Sequence, residues 1–136
     1  MTTGILLITH TGIAPALLAT VNGMLGYDCE NTDYFEIAFD ASTEDMDQQI
    51  AQHIDTLDQG QGVLILTDLY GSTPSNLCTH FTQKQNVNMI SGLNLPMLLR
   101  VMNYRDLQLD QLTEKATSGG HDGIREYHCE LENKPG

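Results

Sequence analysis

Two side chains with useful chemistry stand just past apolar runs. His10 follows ILLIT (Ile5 to Thr9), and Asp68 follows GVLILT (Gly62 to Thr67). An imidazole is a nucleophile when one ring nitrogen is bare, and a carboxylate that accepts a hydrogen bond from the other nitrogen fixes that tautomer. The same carboxylate steadies the positive ring that forms on attack, the orienting part an aspartate plays in hydrolytic triads. Neither loop offers a cysteine nucleophile, so the imidazole itself would attack. After Asp68 come Gly71, Ser72 and Thr73, just before a helix start at Pro74. Backbone N–H groups at such a start form an anion site. Thr73 is expected to cap this helix, with its hydroxyl in reach of a phosphoryl oxygen. Gly12 allows close backbone approach beside His10. Phosphoryl transfer asks mainly for positioning and charge stabilisation, which these residues supply. With a donor phosphoryl already activated, neither a metal nor a cofactor is needed.

The elements that would bring these residues together follow a regular rhythm. ILLIT is a continuous apolar run, the pattern of a strand covered on both faces. A helix follows, with Pro15 in its first turn, Leu17, Leu18, Val21, Met24 and Leu25 at helical spacing, and Gly26 as its stop. Tyr34 to Phe39 is the second strand. The next helix carries Met46, Ile50, Ile54 and Leu57 as its buried stripe, and Ser42 and Asp45 have capping-box spacing at its start. Strand three is Gly62 to Thr67, helix three begins at Pro74, and strand four is Asn86 to Ser91. A helix starts near Pro96, and RDLQLDQLTEKAT forms another that Gly119 and Gly120 break. GIREYHCEL is expected to be a short final strand, with residues from about 130 to 136 a loose tail. Strands alternating with helices predict an α/β fold, an open and mostly parallel doubly wound sheet with helices on both faces. In the order 2-1-3-4, strands one and three are neighbours at the switch point, where ligands bind beyond the carboxyl ends of strands. His10 and Asp68 would meet there.

At 136 residues the chain is expected to form one domain. Its net charge of -12, from 18 acidic and 6 basic residues, disfavours nucleic acid and suits a partner with a basic docking face. Cys29, Cys78 and Cys129 are odd in number and lack close pairing, which points to a reducing compartment. No run approaches the length of a membrane span and no leader pattern opens the sequence, so a cytoplasmic protein without direct membrane insertion is expected. His53 and His80 fit packing or boundary roles. His121 and His128 lack a second cluster that would complete a metal site. Cys78 reads as a small core filler.

Three stretches, ILLITHTGIAPALL, LTDLYGSTPSN and ISGLNLPMLL, together resemble the IIA component of the mannose-type phosphoenolpyruvate-dependent sugar phosphotransferase system. The resemblance runs from about Gly4 to about Ile124. It implies a phosphocarrier in which His10 takes a phosphoryl group on Nε2 from phospho-HPr, or a paralogue, and passes it to a IIB component. It implies that Asp68 orients the ring, and that the protein is a homodimer with its C-terminal strand reaching the partner. Many relatives have a second glycine where this chain has Ser72, which would be strained if that backbone needed a positive φ. A related alternative is the phosphotransfer subunit of a dihydroxyacetone kinase, which differs in its acceptor. A receiver-like regulatory domain would also place an aspartate after strand three. It asks for an acidic pair after strand one, where this chain has Thr9 and His10.

Overall fold

A computed structural model gives the fold and describes residues 1–84 and 86–129. Four parallel strands form one sheet in the order β2-β1-β3-β4. They are β1 (Gly4–His10), β2 (Thr32–Ile37), β3 (Val63–Thr67) and β4 (Val87–Ser91). The helices are α1 (Ile13–Leu25), α2 (Met46–Leu57), α3 (Thr73–Cys78), α4 (Leu95–Asn103) and α5 (Leu109–Asp122), with a 3-10 turn at Thr79–Gln83 continuing α3.

Alternation along the strands divides the core in two. Ile5, Leu7, Leu64 and Leu66 point to a layer containing Val21 of α1, Leu98 and Val101 of α4, and Leu112 and Ala116 of α5. Leu6, Ile8, Val63 and Ile65 point the other way, to Ile50 and Ile54 of α2 and to Cys78 and Phe81. Residues Ile5 to Ile8 have no exposed surface at all, because helices cover both faces of the sheet. Each such side chain contributes about 1.5–3 kcal/mol of burial. The predicted stripe Met46, Ile50, Ile54 and Leu57 is buried as expected, and so is Cys78. Burial pushes the Cys78 thiol up to about 12, with Asp47 adding to the rise, which suits an inert filler.

Several expectations need correction. β2 begins at Thr32 and ends at Ile37, leaving Phe39 in the following loop. The capping box before α2 is not formed: Asp45 is the N-cap and makes no side-chain cap bond, while the Ser42 hydroxyl accepts from the Glu44 N–H at 3.3 Å. Met24 is 58% exposed, outside the stripe of α1, because that helix packs on the core through Leu17, Leu18, Val21 and Leu25.

Gly119 and Gly120 do not break α5, which runs through both to Asp122. They are buried where α5 crosses α4: a Cβ on Gly119 would lie 2.6 Å from Cβ of Arg100, and one on Gly120 would lie 2.9 Å from Cε of Met97. The glycines allow close helix approach. The final strand is also absent where it is described. Gly123 closes α5 and residues 124–129 pair with no strand, with Ile124 74% and Tyr127 91% exposed. An extended segment becomes a strand only when a neighbour satisfies its backbone. The rest of that expected strand, and the expected loose tail, lie outside the described residues.

Candidate active site

β1 and β3 lie side by side where the strand order reverses, and both run toward the same edge. His10 is the last residue of β1, and Asp68 directly follows β3. Their side chains meet. Asp68 Oδ2 accepts the backbone N–H of His10 at 3.0 Å and lies 2.7 Å from the ring Nδ1. In the neutral ring, a carboxylate at that distance favours the proton on Nδ1 and leaves Nε2 bare. Burial raises the Asp68 carboxyl, but the side-chain and backbone hydrogen bonds from His10 outweigh it and hold the group below its ordinary value of 3.8. It is therefore an anion at neutral pH. The His10 side chain keeps 20% of its surface exposed against 9% for Asp68, so the imidazole remains open to a visitor while its support is enclosed. Oδ1 of Asp68 is buried with no hydrogen-bond partner among the described residues. All the carboxylate's protein bonding is thus concentrated on the oxygen facing His10.

The hinge between β1 and α1 is built by Thr9 and Gly12. The Thr9 hydroxyl accepts the Ala14 N–H at 3.1 Å and donates to the His10 carbonyl at 2.8 Å, tying the ring's own backbone to the helix start. Gly12 has φ +92°, a conformation that favours glycine, and its N–H donates to Glu36 Oε2 at 2.8 Å. Gly71 supplies the left-handed turn after Asp68, with φ +78°. Ser72 sits at φ −82°, so its side chain brings none of the strain that a positive φ would impose.

Ser72, not Thr73, is the N-cap of α3, and Thr73 is its first helical residue. This corrects the expected cap. Helical geometry begins one residue before Pro74, and the Ser72 side chain makes no cap bond because its hydroxyl turns back to Leu69. The Ser72 N–H and hydroxyl both donate to the Leu69 carbonyl, at 3.3 Å and 2.6 Å. Beneath this turn, Ser75 and Thr67 hydroxyls meet that of Ser91 at 3.2 Å and 2.9 Å, pinning α3 to the ends of β3 and β4.

Two neighbours of His10 escaped the sequence reading. Phe39 stacks on its ring, with centroids 5.1 Å apart and planes at 26°. Glu36 holds the Gly12 N–H. A carboxylate inside the otherwise apolar run YFEIAF was the one available signal. Of the remaining histidines, His53 pairs with Asp33 at 3.0 Å and His80 packs on Phe81, in line with boundary roles. Among the described residues no group of three or more His, Cys, Asp or Glu could hold a metal ion. None of their helices is long and apolar enough to cross a membrane.

The model of the family described as PTS system fructose IIA component matches residues 4–117. This chain belongs to that family. The mannose-specific EIIAB component of Escherichia coli (strain K12) is 30% identical over 128 residues, which cover 92% of this chain and 39% of the relative. The chain thus spans about two fifths of that protein's length. The fructose-specific EIIA component of Bacillus subtilis (strain 168) is 27% identical over 101 residues, covering 74% of this chain and 69% of the relative. Solved IIA structures share the fold. A mannose/sorbose specific IIA subunit from Enterococcus faecalis has a TM-score of 0.81 at 20% identity, covering 95% of this chain and 97% of its own. The EIIA component from Streptococcus agalactiae has 0.80 at 23%, covering 91% and 96%. The resemblance read from the three motifs and the 2-1-3-4 sheet order both hold for this IIA chain.

Proposed function

We propose that this IIA chain is a phosphocarrier that works through Nε2 of His10. The observation that carries the reading is the 2.7 Å contact between Nδ1 and Asp68 Oδ2 on a ring still open to solvent. The donor is phospho-HPr or a paralogue. Its phosphorus–nitrogen bond breaks as the bare Nε2 forms a new one, and the proton stays on Nδ1 against Asp68. The ring becomes cationic in that step, and the carboxylate's charge offsets it. Transfer onward to a IIB component reverses the movement: the P–Nε2 bond breaks and its electron pair returns to Nε2.

The phosphoryl oxygens would be met by Gly12 and by the turn Gly71, Ser72 and Thr73, where the Ser72 N–H and hydroxyl would have to leave the Leu69 carbonyl. Glu36 occupies the Gly12 N–H in the unloaded chain, so an incoming anion displaces it or is repelled by it. The acidic surface suits a donor with a basic docking face. Cys29, Cys78 and Cys129 are all free, in keeping with a cytoplasmic carrier. The expected homodimer belongs to this reading as well.

The test is reconstitution with phosphoenolpyruvate, enzyme I and HPr, followed by mass-spectrometric mapping. One acid-labile phosphoryl group is expected on His10, and none on a His10→Gln chain. Full labelling of His10→Gln would remove the reading.

A further inference from the structure

The loop after β2 forms a third wall of the site, and nothing in the chemistry above assigns it a role. Its base is fixed. Ile37 is buried and pairs in register with His10 itself, while Glu36 is tied to Gly12. Phe39 lies two residues further on and lays its ring on the imidazole, 5.1 Å between centroids at 26°. Yet Phe39 is 88% exposed. A ring so open contributes little to the core, and its specific aromatic contact is with His10. Asp68 fixes the imidazole only along the Nδ1 edge, so the ring can still rock about that hydrogen bond. A stacked aromatic face opposes rocking, because offset stacking has a preferred plane and spacing.

We propose that Phe39 is a positioning residue for phosphotransfer: its ring holds the plane of the His10 imidazole and shields one face of the phosphoimidazole from water. This rests on the phosphocarrier reading. In the wasteful reaction, a water oxygen forms a new bond to phosphorus and the P–Nε2 bond breaks. The electron pair returns to Nε2, and the water protons pass to phosphate and solvent. Water, like a protein acceptor, must reach phosphorus in line with the P–Nε2 bond, and an apolar ring over one face removes its sideways routes onto that line. It leaves Nε2 open in the imidazole plane, where a donor or acceptor must align.

The full-length chain can be loaded with phosphoramidate, which needs no partner protein, and the modified residue mapped. A wild-type chain that takes nothing on His10 overturns the phosphocarrier reading, and this proposal with it. Given a loaded His10, Phe39→Ala is expected to lose its phosphoryl group about three- to tenfold faster than wild type, the span one stacking contact supports. Phe39→Tyr keeps the wild-type lifetime and Phe39→Leu falls between. Thermal midpoints stay unchanged, since the side chain is exposed. In transfer from phospho-HPr, Phe39→Ala lowers kcat and leaves KM unchanged. Equal lifetimes for Phe39→Ala and wild type overturn the proposal. So does a raised KM at constant kcat, which would make Phe39 a docking residue.

Discussion

In the phosphocarrier reading Asp68 does two jobs through one oxygen, offsetting charge and fixing the tautomer, and one substitution tests both. In Asp68→Asn the amide carries no charge to offset the cationic ring. If its NH2 faces Nδ1, it also moves the ring proton to Nε2, the wrong tautomer. Transfer to His10 is expected to slow by about a hundred- to a thousandfold with the fold retained, read by rapid-quench phosphorylation beside circular dichroism. The same group leaves a mark on stability. Its folded carboxyl is held below the ordinary value by His10, so its contribution is present above the unfolded value and lost as pH falls through the folded one. Wild type should lose thermal midpoint between about pH 5 and pH 2 more steeply than Asp68→Asn. Parallel curves would mean that Asp68 titrates as a free carboxyl. This pair was legible in the sequence because strand ends and sheet order fix where both residues sit. Phe39 was not. The run YFEIAF offers no break between strand and loop, so a ring that leaves the sheet to reach His10 reads as one more strand residue.

At the scale of elements, apolar runs and helical stripes carried the layout, since each reports the burial of its own segment. Glycines carried less, because a glycine's purpose depends on what packs against it. Gly26 reads correctly as a helix stop, with φ +80° at the C-cap of α1. Gly119 reads wrongly as a breaker, since the close approach of Arg100 on α4 cannot be seen in the local sequence. Two substitutions make the difference measurable. Gly23 lies inside α1 with nothing within 4 Å of an added Cβ, so Gly23→Ala should stabilise by about 0.5–1 kcal/mol through the lower helix cost of alanine. Gly119→Ala gains the same propensity but drives its Cβ to 2.6 Å from Arg100 Cβ and 2.9 Å from Cγ. These are atoms at the root of the side chain and cannot swing aside, and overpacking of this kind costs about 1–3 kcal/mol. The net expectation is a loss, seen as a lower urea midpoint for Gly119→Ala and a higher one for Gly23→Ala. A gain at both positions would show that α4 and α5 can separate freely.

For the whole molecule, the unpaired residues 124–129 and the edge of the sheet pose one question. Among the described residues β4 is paired on one side only, with β3. An unpaired strand edge is a template for another chain unless it is blocked. Just beyond α5, residues 124–129 are unpaired, and Ile124 and Tyr127 present apolar surface to solvent. A segment of this kind gains backbone partners and burial together if it lies against a second copy. Self-association works against charge, because each chain carries -12. Like-charged copies repel, and salt screens that repulsion over about 8–10 Å near physiological ionic strength. The full chain is therefore expected to sediment as a dimer at micromolar concentration, more completely as salt rises, and a chain ending at Gly123 to sediment as a monomer. Since Gly123 already closes α5, the shortened chain keeps its core and should hold its circular dichroism spectrum. A full chain that stays monomeric at high salt would leave the exposed segment without this role. An equally dimeric shortened chain would move the interface elsewhere on the surface.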